Sequence, residues 1–260
     1  MRGVLAFVLL TAGSTALADE VRISHLSSDL VTLGSGVFCG TSGPPAGSTE
    51  IGFWNSYTLT DFWVSTDVRV RRIEFGIEQL SLPTRGEATL TVNLYLDEPR
   101  AEPVTGLPLL ASAQITLGET LLDVVAVDVE ASFPTDRALI VELSAPGFYD
   151  PAAEATGDIF IVGANEFGLT AETYVRSIPC GLVEPRLISD FGQPFGIVMT
   201  LVGETICQVD IDEDGDLTIF DFLAFQTLFD AGDPSADFDG DGLLTIFGLL
   251  FFQTEFDAGC

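Results

Sequence analysis

The sequence predicts a mainly β protein, a jelly-roll-like β-sandwich followed by a small α-helical pair of loop–helix repeats. Three observations predict it. Between Ile51 and Glu204 apolar residues recur with a period of two, as in Leu90, Val92, Leu94 and Leu96, in Val125, Val127 and Val129, in Leu139, Val141 and Leu143, and around Phe160-Ile161-Val162. Turn residues punctuate those runs at Pro83, Arg85-Gly86, Glu102-Pro103, Gly118, Phe133-Pro134, Ala145-Pro146-Gly147 and Gln193-Pro194, which gives eight or nine short strands. Beyond residue 205 the chain repeats itself, and the apolar spacing turns helical.

Composition narrows the function classes before any motif is read. The 260 residues carry 39 acids against 10 bases, a net charge of −29, and every base is arginine. A nucleic-acid partner is excluded on this balance, because phosphates are held by clustered positive charge. An anionic membrane surface is disfavoured for the same reason. The 47% of hydrophobic residues separates the chain from charged disordered sequences, which lack apolar side chains to bury. His25 is the single histidine, so chemistry built on a histidine base or on several histidine ligands is excluded.

Residues 1–18 read as a signal peptide: Arg2, an apolar run from Val4 to Ala12, and the small residues Ala16-Leu17-Ala18 before Asp19. The expectation is export, to an extracellular or cell-surface location. That run is about half the ~20 residues a bilayer requires, and Leu243 to Phe252 is also too short, so no membrane span is expected. Residues 19–50 read as an N-terminal segment and linker, rich in Gly, Ser and Pro from Gly40 to Thr49. Residues 51–205 form the sandwich and residues 206–260 the repeat. Four cysteines in an exported chain fit two disulfides, with three connectivities open. Position suggests Cys39 with Cys180 and Cys207 with Cys260, one pair for each region.

The repeat carries the sharpest signal. Residues 206–232 aligned with 233–259 give 16 identities over a period of 27 residues. Each copy opens D-x-D-x-D-G, the start of an EF-hand-type loop in which carboxylates at positions 1, 3 and 5 converge on one hard cation and glycine at position 6 permits the turn. In the first loop these are Asp210, Asp212 and Asp214, followed by the Asp216 carbonyl at position 7, Thr218 at position 9 and Asp221 at position 12. The second has Asp237, Asp239, Asp241, the Leu243 carbonyl and Thr245, but Gly248 at position 12. Oxygen-only ligands on a flexible loop favour Ca2+ over zinc and magnesium, with one strong site and one weaker one. Residues 207–260 hold 13 acids and no base, so metal binding is expected to drive their folding. Ile219, Phe222, Leu223, Phe225, Leu228 and Phe229, then Ile246, Leu249, Leu250, Phe252 and Phe256, follow the loops near helical spacing as a shared core. Gly232 and Gly259 stand where left-handed helix stops are expected.

A calcium loop followed by one helix, in tandem, resembles the dockerin domain. The ending Phe256-Asp257-Ala258-Gly259-Cys260, with Cys207 just before the first loop, resembles the GC-type dockerin variant at the C-termini of exported bacterial proteins. The resemblance covers residues 206–260 and implies docking to a cohesin-like or cell-envelope partner. It also implies recognition by residues late in the loops, here Ile219-Phe220 and Ile246-Phe247, where members in cellulosomes often carry hydroxyls. Thr173 to Arg176, Cys180-Gly181, Phe191-Gly192 and Met199 to Gly203 resemble the end of uncharacterised sandwich domains that share this module.

No local motif assigns chemistry to the sandwich. Two carboxylates at the spacing of a glycosidase pair need none, and Glu74, Glu78, Asp97 and Glu98 are acids beside strands that read as a solvated face. Arg69, Arg71 and Arg72 read as partners for surrounding acids; Phe53, Trp54, Tyr57 and Trp63 read as core, or as a platform for sugar rings. Three readings follow. The first is a non-catalytic exported surface protein docked through its calcium module. The second is a carbohydrate-binding or polysaccharide-degrading component of an extracellular complex, marked by an aromatic row on the outer sheet face. The third is a calcium-stabilised structural protein with no partner.

Overall fold

The structure, a computed structural model, describes residues 20–37, 39–41, 47–148, 157–212 and 216–259. Residues 1–18, read above as a signal peptide, lie outside them. Two compact units divide between Glu204 and Thr205.

The first unit is all β. Along the chain, β1 is Glu20–Ser24, β2 Gly40–Thr41, β3 Gly47–Ser48, β4 Ile51–Thr58, β5 Val68–Ser81, β6 Ala88–Asp97, β7 Leu109–Leu117 and β8 Thr120–Phe133. There follow β9 Ala138–Ala145, β10 Ile159–Val162, β11 Ala164–Asn165, β12 Tyr174–Ser177, β13 Leu182–Leu187, β14 Gly196–Ile197 and β15 Met199–Thr205. The period-two runs of the sequence fall inside β6, β8 and β9, where Leu90, Val92, Leu94, Val127, Val129, Leu139, Val141 and Leu143 are buried. Four of the fifteen strands among the described residues are only two residues long, too short to leave an alternation in the sequence.

One sheet joins β1, β15, β5 and β10 in that order, and β8 also pairs with β5. Leu80 of β5 faces Thr120 of β8 on one side and Phe160 of β10 on the other, while β8 follows β5 from Val68 to Leu80. β8 therefore fills one edge of β5, and β15 and β10 share the opposite edge. The second sheet runs β13-β12-β4-β9-β6-β7. Phe53, Tyr57, Val92 and Leu143 from this sheet and Phe75, Ile77, Val127 and Met199 from the other belong to one buried cluster, so the two sheets form a sandwich around a common core.

The segment read as an N-terminal lead and linker contributes to that sandwich. β1 pairs with β15, and Val21 and Ile23 are buried in the common core. Its five residues alternate too briefly to stand apart from a loop. Cys39 and Cys180 are bonded, as position suggested, with Cα atoms 6.3 Å apart. Cys260 lies outside the described residues; Cys207 packs against the core of the second unit, and no free cysteine is present among the described residues.

The second unit holds α1, Ile219–Ala231, and α2, Ile246–Ala258. Thr218 and Thr245 cap them, their hydroxyls accepting from the backbone N–H of Phe220 at 3.1 Å and of Phe247 at 3.2 Å. Gly232 ends α1 in the left-handed conformation, whereas Gly259 combines positive φ with an extended ψ of 172°. Phe225 and Phe252, equivalent residues of the two repeats, stack at 4.3 Å and 14°, and Phe238 meets both edge-on. Phe222, Leu228, Phe229, Leu249 and Phe256 pack around them. Ile219, Leu223, Ile246 and Leu250, expected in the same core, are exposed, because one aromatic pair already fills the narrow contact between two short helices. Among the described residues no helix is long and apolar enough to cross a membrane.

Candidate metal centre

Both loops bring their acids together. In the first, carboxylate oxygens of Asp210, Asp212 and Asp221 lie within 4.8 Å of one another. Asp221 is fully buried at the start of α1. Its Oδ1 accepts from the N–H of Ile211 at 2.9 Å and of Asp212 at 3.4 Å, and its Oδ2 from Thr218 at 2.8 Å. One side chain thus ties the opening of the loop to the helix that follows it, which explains why position 12 belongs to the helix rather than to the turn. Asp214 lies outside the described residues, and Asp216 is exposed and does not join the converging carboxylates.

In the second loop the oxygens of Asp237, Asp239 and Asp241 lie within the same 4.8 Å. Gly242 at position 6 has φ +80°, the left-handed turn expected of it. Its N–H donates to Asp237 Oδ2 at 2.8 Å, and the Leu243 N–H donates to Asp241 Oδ1 at 2.8 Å. Asp237 Oδ1 and Asp239 Oδ1 are buried with no hydrogen-bond donor. Desolvation first, then the negative charges of Asp241 and Asp237, push the Asp239 carboxyl above its ordinary range. At position 12 a Cβ on Gly248 would lie 3.6 Å from Asp239 Oδ1, so the space that a longer side chain fills in the first loop borders the ligand cluster here too.

The residues singled out in the sandwich are engaged structurally. Arg71 bonds Glu204 and Glu130, Arg69 lies 3.8 Å from Glu204, and Arg22 and Arg72 both hold Glu74. Those two guanidiniums keep the Glu74 carboxyl below its ordinary range. Glu78 accepts from the N–H groups of Gly34 and Gly36, and Asp97 from that of Glu98. Phe53 and Tyr57 are core, Trp54 is buried, and Trp63 alone of the four aromatics is exposed, at 83%. The sequence reading did not single out Glu142, a buried carboxylate on β9 beside Trp54.

Comparison with protein-family models, with curated proteins and with solved structures gave no match. The chemistry of both units has to be read from their own residues.

Proposed function

We propose that this is an exported, non-catalytic protein whose C-terminal unit binds Ca2+ and docks the sandwich to a cohesin-like or cell-envelope partner. The observation that carries the metal reading is the pair of buried carboxylate oxygens, Asp237 Oδ1 and Asp239 Oδ1, left without donors inside a cluster of three acids. Buried anions of this kind need a cation to be stable. Asp210, Asp212, Asp214 and Asp221, with the Asp216 carbonyl, would hold it in the first loop. Asp237, Asp239, Asp241 and the Leu243 carbonyl would do so in the second. When bound, the ion supplies charge neutralisation and a fixed loop geometry, and all-oxygen ligation selects Ca2+.

Docking is supported by what the helices leave uncovered. Ile219, Phe220, Ile246 and Phe247, the four residues expected to meet a partner, are 57–65% exposed and related by the 27-residue repeat. Large exposed apolar side chains grouped in this way mark interaction surfaces. The jelly-roll reading of the sandwich is supported by strand order. Numbering β1, β4, β5, β6, β7, β8, β9 and β15 from one to eight, the sheets run 1-8-3-6 and 2-7-4-5, the order of two interleaved Greek keys.

The test is capture of a partner by the immobilised full chain from envelope extract, in Ca2+ and in EDTA, beside a Phe220→Ser, Phe247→Ser variant. One protein retained by the wild-type chain only in Ca2+, and lost with the variant, is the expected result. A chain that binds Ca2+ by calorimetry yet retains nothing is a calcium-stabilised structural protein, and the docking reading fails.

A further inference from the structure

The outer face of the six-stranded sheet holds a buried donor without a partner, beside a carboxylate oxygen that no described donor reaches, and the two meet over a glycine. Phe53, Leu143 and Val92 face the core, so the alternate residues of β4, β9 and β6 face outward. Across the strands they form one row, Tyr174–Trp54–Glu142–Asn93. Glu142 is 8% exposed and makes no ion pair among the described residues. Its Oε2 accepts from Asn93 Nδ2 at 2.9 Å and from the Tyr95 hydroxyl at 2.8 Å, while no described donor reaches Oε1. Trp54 is 4% exposed, and its buried Nε1–H has no acceptor. A Cβ placed on Gly52 would lie 3.0 Å from Glu142 Oε1 and 3.1 Å from Trp54 Nε1, so both atoms border the small space that a side chain at this glycine would take.

An unmatched buried donor beside a free acceptor calls for a partner, and here the partner's chemistry is defined. A hydroxyl donates to Glu142 Oε1 through its proton and accepts from Trp54 Nε1 on its oxygen. An ammonium offers no acceptor to the indole N–H. A carboxylate or phosphate is repelled by Glu142, whose Oε1 borders the space, and Arg176, the cation paired in register with Gly52, gives its Nε–H to the Val183 carbonyl. Beside Trp54 stand further rings: Tyr95 stacks on it with centroids 5.6 Å apart, and Tyr174, half-buried, packs in the same cluster. Hydroxyls bordered by apolar C–H faces are the surface of a neutral pyranose. We propose that this face binds a neutral saccharide, with one of its hydroxyls seated over Gly52 between Glu142 and Trp54.

The test uses the full chain and calorimetric titration with neutral hexasaccharides of β-1,4-linked glucose, xylose and mannose and of β-1,3-linked glucose, with hexagalacturonate as the charged control. At least one neutral hexasaccharide is expected to bind, equally in Ca2+ and in EDTA, which separates this site from the docking surface. Glu142→Gln keeps an acceptor for Asn93 and Tyr95 but turns the free oxygen into a donor, and should weaken binding about tenfold or more. Gly52→Ala fills the space and should abolish binding; if that variant does not fold, Glu142→Gln decides alone. Binding of no neutral hexasaccharide, meaning that the space holds water only, overturns the proposal. So does preference for the charged control, or wild-type affinity in the folded variants.

Discussion

His25 shows how one buried side chain sets a pH dependence. Its ring stacks on Tyr57 at 4.7 Å, and its Nε2 lies 2.8 Å from the Ser56 carbonyl, which only accepts, so the proton sits on Nε2 and Nδ1 faces the Thr170 hydroxyl at 3.2 Å. Burial lowers its pKa below the ordinary 6.5, against smaller opposing effects of the Ser56 bond and the Asp61 charge. The unfolded chain therefore takes up this proton at higher pH than the folded one. The contribution of His25 is fully present above pH 6.5 and is lost as pH falls through the folded value. Thermal unfolding between pH 7.5 and 5.5 should show a falling Tm, with a shallower slope in His25→Gln; identical slopes would remove His25 from the account. Trp63 stores strain instead. It follows a 3₁₀ turn at φ 61°, in the left-handed region, and is almost fully exposed. A side chain there costs roughly 1–2 kcal/mol. Trp63→Gly should raise Tm by about 2–4 °C over Trp63→Ala, because only glycine removes the Cβ; equal Tm values would show that the turn is unstrained. Neither residue's role was legible in the sequence. A lone histidine and an aromatic near a strand end look alike in any β protein, and what distinguishes them is burial and backbone dihedral.

The loops and helices are the elements the sequence describes most fully, and the reason is that their logic is local. Ligand positions 1, 3 and 5 sit within five residues of one another, so D-x-D-x-D-G already states the geometry that Asp237, Asp239 and Asp241 adopt. Position 12 is nearly as local: Asp221 reaches back to Ile211 from the first turn of α1. The row over Gly52 lies at the other extreme. Trp54 and Glu142 are 88 residues apart and become neighbours only through the antiparallel register of β4 with β9, which no sequence pattern specifies. Helix faces fall between. Periodicity identifies the apolar positions of α1 and α2, yet it cannot tell Phe225, which is buried, from Leu223, which is not. Two predictions belong to the loops. Asp210→Ala should lower Ca2+ affinity about tenfold and cost more than Asp237→Ala, since the first loop has an acidic position 12 to lose cooperation with and the second does not; equal losses in calorimetric titration would refute the ranking. Gly248→Asp should act in two directions. A Cβ there meets only ordinary to slightly tight contacts, with the Ala236 carbonyl at 3.4 Å and Asp239 Oδ1 at 3.6 Å. In Ca2+ the new carboxylate supplies the missing ligand and should raise affinity about tenfold. In EDTA the same charge faces three acids and should lower stability. A variant unchanged in both conditions would show that position 12 does not border the site.

The whole molecule combines two units whose stability has different sources. The sandwich holds a continuous apolar core drawn from both sheets and a disulfide closing 141 residues, and many of its acids are paired with arginine or with backbone N–H groups. A crosslink over so long a stretch contributes on the order of 4–5 kcal/mol by restricting the unfolded chain. None of this depends on a cation. The second unit has, among the described residues, a small core in which Val209, Phe225, Ala236 and Phe252 are buried and further apolar side chains pack half-buried around them, in a stretch of 13 acids with no base. On the proposed calcium reading, the ion offsets the mutual repulsion of the loops, and folding of this unit is linked to its binding. Calorimetric unfolding of the full chain in Ca2+ should therefore show two transitions. Each occupied loop adds about 2.7 kcal/mol to the second unit when free Ca2+ is a hundredfold above the dissociation constant. In EDTA the transition of the second unit should move to low temperature or disappear, while that of the sandwich stays within a degree or two of its original Tm. Reduction of the disulfides should shift the sandwich transition as well, which identifies it independently. Two transitions that both ignore EDTA would show that the acidic loops are stable without an ion. A sandwich transition that falls together with the other would show that the units fold as one, and that the calcium loops brace the whole protein rather than a module of it.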